Sequence, residues 1–333
     1  MAKKREKSDK PLRKGYTTGL HASFAFKSAL EAFWATKSTA TSITDKMDND
    51  DLDVTKGCEI VVSVSDKFEN IAINKIAHTP YTIGNLKLFA GVGVGVVTKD
   101  GLKPPKGYPA INPIPLKAIE NIYRRFDFIE HQLYATISVT NGEKLAKQTA
   151  NAKVGVLGGL SILGTTGYVK PISASAYMDS IKTELQVAKS NGYNQAVLTL
   201  GNSSFIYAKK HYDEIQIVEI GNFVFDALAI VQSLGFQSAL FVCGIGKATK
   251  VMQGYKNTHN RFGSIDFVAL KEQIQKELGV EVDIESTKTV KGFTQQLEKL
   301  NQKEIFFKLI QRETEKQLIK WFPLVKLETT ILH

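Results

Sequence analysis

The chain has 333 residues, 43% of them hydrophobic, with 43 basic against 33 acidic side chains and a net charge of +10. That length exceeds a usual single domain and suggests two. Two cysteines, Cys58 and Cys243, are too few for a disulfide framework, and no apolar run approaches the roughly 18 residues of a spanning helix. The start, MAKKREKSDKPLRK, holds seven basic and two acidic residues and lacks the apolar core of a secretory signal. Residues 1–14 therefore read as a disordered basic tail on a cytoplasmic protein. The charge fits either plain solubility or a polyanionic partner. Basic and aromatic residues do not interleave in one patch beyond the tail, which argues against nucleic acid.

After the tail, GYTTG at 15–19 is a turn that opens a helix, with Leu20, Phe24, Leu30, Phe33 and Trp34 on an apolar face. TKSTATSITDKMDNDDLDVTKG reads as a long polar loop. CEIVVSVSD and NIAINKIAH alternate with period two and read as paired strands. GVGVGVV enters a short strand, followed by a proline-rich connection. LKAIENIYRRF is a helix, QLYATISVT a strand, and NGEKLAKQT opens on a turn or cap. This mixture predicts an α+β domain over residues 15–150.

The rhythm then changes. VGVLGGLSIL, AVLTLG, IQIVEIG and ALFVCGIG are short apolar strands, and helical segments follow them. That alternation predicts an α/β domain over 151–333 with a mostly parallel sheet and right-handed crossovers. Beyond residue 260 the chain reads as helical and charged.

In an open parallel sheet, ligands bind beyond the carboxyl ends of the strands. The four strands are followed by GTTG, GNSS, GN and GIGK, so glycine and small polar residues gather where a ligand would sit. Such loops also favour these residues simply as helix caps. Other glycine signals are weaker. GVGVGVV lacks dinucleotide-binding spacing, and GIGKAT lacks the phosphate-loop spacing. Histidine and cysteine do not cluster, so no metal site is expected. NDDLDVTKG places Asp51 and Asp53 on one side before a strand, either as solvated turn acids or as a general base. Asn257, Thr258 and His259 end a helix, either as a cap or as ligand contacts.

The motifs GYTTG (15–19), DLDVT (51–55), GVGVGVVT (91–98), PAINPIP (109–115), ISVTNGEKLAKQT (137–149), GGLSILGTTGYVKPIS (158–173), GIGK (244–247) and NTH (257–259) run in one order. In that order the chain resembles the cobalt-precorrin-5B C(1)-methyltransferase family (CbiD) of anaerobic cobalamin biosynthesis, over roughly residues 12–265. It departs from the family at Leu20–His21, where Thr-Cys is usual, and at Cys243–Lys247, where the family reads GHIGK. The resemblance implies methyl transfer from S-adenosylmethionine to carbon 1 of a cobalt tetrapyrrole, with cobalt carried by the substrate. It also implies an N-terminal α+β domain followed by a Rossmann-like α/β domain.

On this basis Gly164, Thr165, Thr166, Gly167, Gly244 and Gly246 are expected to line the donor site. Thr17, Thr18, Lys170, Lys247, Asn257 and Thr258 are expected to bind substrate, the two lysines through its carboxylates. Asp51, Asp53 and His259 are the candidates for proton transfer. A non-catalytic corrinoid-intermediate binding protein is the alternative. Neither nucleic acid nor membrane is expected as a partner, and a homo-oligomer is left open.

Overall fold

The computed structural model describes residues 15–47, 54–126, 131–164, 168–169 (backbone) and 174–332. Internal contacts divide the chain into two compact units, Met1–Ala176 and Tyr177–His333. Among the described residues no helix is long and apolar enough to cross a membrane.

The first unit opens with β1 (Gly15–Tyr16) and α1 (Thr18–Thr36), followed by β2 (Ala40–Asp45) and β3 (Glu59–Ser65). Then come β4 (Tyr81–Ile83), β5 (Leu86–Ala90), β6 (Gly93–Val94), β7 (Val96–Val97), α2 (Pro113–Tyr123), β8 (Leu133–Val139) and α3 (Gly142–Ala146). Short strands β9 (Val156–Leu157), β10 (Gly159–Leu160) and β11 (Tyr168–Val169) complete it. Five strands form one sheet in the order β2-β3-β8-β5-β4, antiparallel except where β5 meets β8. Period-two alternation sends Ile60, Val62 and Val64 of β3 to one face. There they join Ala135 and Ile137 of β8 and Phe26 and Leu30 of α1 in one apolar core.

Three sequence expectations change here. The polar loop contains β2, whose TSITD pairs along the edge of β3. An edge strand with one wet face needs few apolar residues, so composition hid it. NIAINKIAH forms no strand beside β3, because β2 and β8 already occupy both edges of β3; one bridge, Ile73 to Gly91, is all it makes. VGVLGGLSIL, expected to lead the parallel sheet, instead pairs within the first unit. There β10 runs parallel to β6 and β9 antiparallel to β7.

The second unit takes up α4 (Ala174–Ser190), β12 (Gln195–Leu200), α5 (Asn202–Lys209), β13 (Ile217–Glu219), α6 (Val224–Ser233), β14 (Ser238–Gly244) and α7 (Ile245–Met252). It continues with α8 (Phe267–Leu278), α9 (Val290–Lys299), α10 (Lys303–Trp321) and β15 (Lys326–Leu332). Its sheet has the order β13-β12-β14-β15 and is parallel throughout. One face packs Leu198, Phe241 and Cys243 against Leu185 of α4, Leu228 of α6 and Phe306 and Ile310 of α10. The other packs Val197, Ile217 and Val242 against Ala208 of α5. The strand β15 lies inside the segment read as helical. Its alternating KLETTIL is half exposed at the sheet edge and lacks the continuous apolar run of its neighbours.

Candidate functional site

The second unit's sheet changes its direction of growth between β12 and β14. From β12 the chain crosses to β13 on one side, then returns to lay β14 on the other. The two outgoing loops diverge there and leave a crevice at the carboxyl ends of the strands. A cleft of about 510 Å³ lies at this point. Gly201–Ser204 follow β12 into α5, Gly221 and Asn222 follow β13, and Gly244 and Lys247 sit at the turn from β14 into α7; all of these line it. Three of the four glycine-bearing loops expected from the sequence thus meet in one place. The fourth, GTTG, does not follow a strand of this sheet. Its Thr165, Thr166 and Gly167 lie outside the described residues, as do Asp51, Asp53 and Lys170.

The glycines separate into two kinds. Gly201 has φ +97°, a conformation that disfavours a side chain. Gly244 has an ordinary extended backbone, φ −78° and ψ 156°. An added Cβ at Gly244 or Gly246 would meet nothing within 4 Å. Neither backbone conformation nor packing within the protein asks for glycine at these two positions. At both positions the space over the backbone is open.

GVGVGVV is of the other kind. A Cβ at Gly93 would collide with the carbonyl of Val139, and one at Gly159 with the backbone of Gly93. These glycines let strands and loops of the first unit touch backbone to backbone, and they hold no ligand space.

The cleft carries a positive charge on a neutral polar frame. Lys247 Nζ donates to Asn222 Oδ1 at 2.8 Å and to the Thr258 carbonyl at 3.2 Å. Thr258, fully buried, donates its Oγ1 to Asn222 Oδ1 at 2.9 Å and its backbone N–H to the Asn222 carbonyl at 3.1 Å. This network joins GIGK and NTH, which are distant in sequence. Among the described residues no carboxylate pairs with Lys247. Burial first, and the neighbouring Lys250 second, hold its ammonium below the ordinary 10.5, with a small opposing pull from Cys243. Burial drives the Cys243 thiol well above its usual range, so it is not a ready nucleophile.

The other expected residues make local contacts. Asn257 Oδ1 accepts from the His259 N–H at 3.0 Å. The exposed His259 caps a short turn, its Nδ1 accepting from the Arg261 N–H at 3.1 Å. In the first unit Thr17 caps α1, accepting from the Leu20 N–H. Buried Thr18 clasps Leu163, accepting from its N–H at 2.9 Å and donating to its carbonyl at 3.2 Å. Gly164 lies against Thr17, where a Cβ would strike the hydroxyl. GYTTG and the end of GGLSILG are therefore one assembly. His21, also buried, bonds Thr44 Oγ1 at 3.0 Å and accepts from the Met47 N–H at 3.3 Å. With Nε2 accepting, the proton sits on Nδ1. The sequence reading did not single out Asn222 or Lys250; the GN after IQIVEI was the one signal for the first. Among the described residues no group of three His, Cys, Asp or Glu could hold a metal.

Residues 31–171 match the family model described as CbiD. A cobalt-precorrin-5B C(1)-methyltransferase from Geobacillus sp. (strain WCH70) is 38% identical over 301 residues, covering 79% of this chain and 78% of its own. The protein of that name from Thermus thermophilus is 35% identical, covering 80% and 75%. The one from Methanococcus maripaludis (strain C7) is 31% identical, covering 85% and 77%. A solved structure, described as cobalamin biosynthesis protein (cbiD) from Archaeoglobus fulgidus, is 25% identical. It covers 81% of this chain and 86% of its own, with a TM-score of 0.33. By the relatives it matches across most of their length, the chain belongs to the CbiD family of cobalt-precorrin-5B C(1)-methyltransferases.

Proposed function

We infer that the chain is a cobalt-precorrin-5B C(1)-methyltransferase: a cytoplasmic enzyme that adds a methyl group to carbon 1 of a cobalt tetrapyrrole on the route to cobalamin. The observation that carries this is the identity to relatives of that name across most of the chain. The methyl donor in this reading is S-adenosylmethionine, which supplies a methyl group already activated by a sulfonium.

The residues fit such a donor. Free space over Gly244 and Gly246 suits a flat or extended small molecule laid along backbone, as at the nucleotide end of Rossmann-like sheets. The N-termini of α5 and α7 point N–H groups towards anionic substituents. Lys247 brings an ammonium without a carboxylate partner among the described residues, suited to a carboxylate of the tetrapyrrole. Asp51, Asp53 and His259 are proposed for proton transfer, and Lys170 for a second substrate carboxylate. With an activated donor the chain needs no nucleophile of its own. Its task is alignment, and holding two reactants in line can supply about 7–11 kcal/mol of a barrier.

The test is anaerobic incubation with cobalt-precorrin-5B and S-adenosylmethionine carrying an isotope-labelled methyl group, followed by mass spectrometry. One labelled methyl at carbon 1 is expected. Tetrapyrrole bound but unmethylated would replace this reading with that of a corrinoid-binding protein.

A further inference from the structure

Lys250 is a buried cation outside the lining of the cleft. It lies on α7 three residues after Lys247, so both ammoniums leave the same helix face, an arrangement of like charges that is unfavourable by itself. The residue is 5% exposed. A buried ammonium is costly unless every proton finds an acceptor. Here all three do. Nζ donates to Asn260 Oδ1 at 2.8 Å, to the Gly263 carbonyl at 2.9 Å and to the Thr258 carbonyl at 3.2 Å. No carboxylate pairs with it among the described residues. Lys250 thus gathers the loop from Thr258 to Gly263 around one charge. The Tyr255 hydroxyl closes the same loop by donating to the Ser264 carbonyl.

The carbonyl of Thr258 is the link. It accepts from Lys250 and also from Lys247. Lys247 has three N–H donors. Asn222 Oδ1 and this carbonyl take two of them, and among the described residues the third has no partner. Where that third proton points depends on where the Thr258 carbonyl is held. We propose that Lys250 is a positioning residue: by fixing the Thr258 carbonyl it aims the free N–H of Lys247 into the cleft, towards a carboxylate of the bound ligand. This rests on the reading of the chain as an enzyme for a polycarboxylated macrocycle. It adds a residue that touches no reactant.

The experiment is a double-mutant cycle on the full chain: wild type, Lys247→Ala, Lys250→Met and the double variant. For each, the dissociation constant for cobalt-precorrin-5B is measured anaerobically by absorbance, alongside KM and kcat for methylation. Removing or misaiming one charged hydrogen bond to the tetrapyrrole is expected to weaken its binding about tenfold. Lys247→Ala and Lys250→Met should each show this, with kcat changed less than KM. The decisive row is the double variant. If Lys250 acts through Lys247, adding Lys250→Met to Lys247→Ala weakens binding no further than about twofold. A role confined to folding would make the two effects multiply, and that result overturns the proposal, as does unchanged binding in Lys250→Met. Should Lys250→Met fail to fold, Asn260→Ala removes one of the three bonds and keeps the ammonium. Its smaller loss of affinity must also vanish in the Lys247→Ala background. A wild type that binds the tetrapyrrole without methylating it sinks the functional reading and leaves the cycle readable through binding. A wild type that does not bind it overturns both.

Discussion

Replacing Gly244 by alanine puts one methyl group into the cleft. The backbone at Gly244 suits alanine, and its Cβ would meet no protein atom within 4 Å. Two small effects on stability oppose each other. Alanine restricts the unfolded chain, worth about 0.4–1 kcal/mol, but is poorer than glycine at a helix N-cap, a loss of similar size. Net stability should stay within about 1 kcal/mol of wild type. Gly246→Ala lies inside α7 and should stabilise, by about 0.5–1 kcal/mol. Ligand binding should move the other way. If the donor lies against this backbone, the added methyl overpacks it at about 1–3 kcal/mol, roughly 5- to 150-fold in its dissociation constant. Urea unfolding reads the first quantity, and titration calorimetry with S-adenosylhomocysteine reads the second. Retained stability with weakened binding is the expected pair. Binding within twofold of wild type in Gly244→Ala would refute the assignment of this cleft to the donor.

Other substitutions test the frame. Thr18→Val removes the clasp on Leu163 at nearly constant volume; it should destabilise by about 1–2 kcal/mol in urea, and unchanged stability would show the clasp to be idle. Gly93→Ala forces a side chain onto φ +82° and into the Val139 carbonyl. A loss of roughly 2–6 kcal/mol is expected, and a normally folded, stable variant would contradict the packing role given to GVGVGVV. His21 is held below its ordinary 6.5 by burial first and the Lys46 charge second, against a pull from Asp45. Between that lowered value and 6.5 the unfolded chain carries the proton and the folded chain does not. Stability therefore rises with pH across this window and is lost as pH falls. His21→Gln should flatten the loss seen between about pH 7 and about pH 5; an equally steep loss in the variant would place its cause elsewhere.

Much of the second unit was legible in the chain. AVLTLG, IQIVEIG and ALFVCGIG are strands because both faces of a parallel sheet are covered, which demands continuous apolar runs. The first two runs end in glycine because the backbone turns there at positive φ, +97° at Gly201 and +55° at Gly221. The order of motifs gave the family, because a set of short patterns in fixed sequence is far more specific than any one of them. Edge strands escaped notice: β2 and β15 are half wet and carry polar residues that resemble loop or helix surface. Pairing by backbone hydrogen bonds makes them strands, and that pairing leaves little mark on side-chain composition.

What the tertiary structure alone decided is which motifs meet. The sequence supplied glycines, lysines and hydroxyls in equal prominence. Whether a glycine serves packing or a ligand depends on atoms far along the chain: Gly93 is bare because Val139 and Gly142 press against it, whereas Gly244 faces open space. The same holds for charge. Lys247 and Lys250 look alike in GIGKATK, and their different surroundings come from the Thr258–Gly263 loop folding back over one helix face. Local sequence fixes the helix that carries both ammoniums; long-range packing decides which one is sealed and which one faces the cleft.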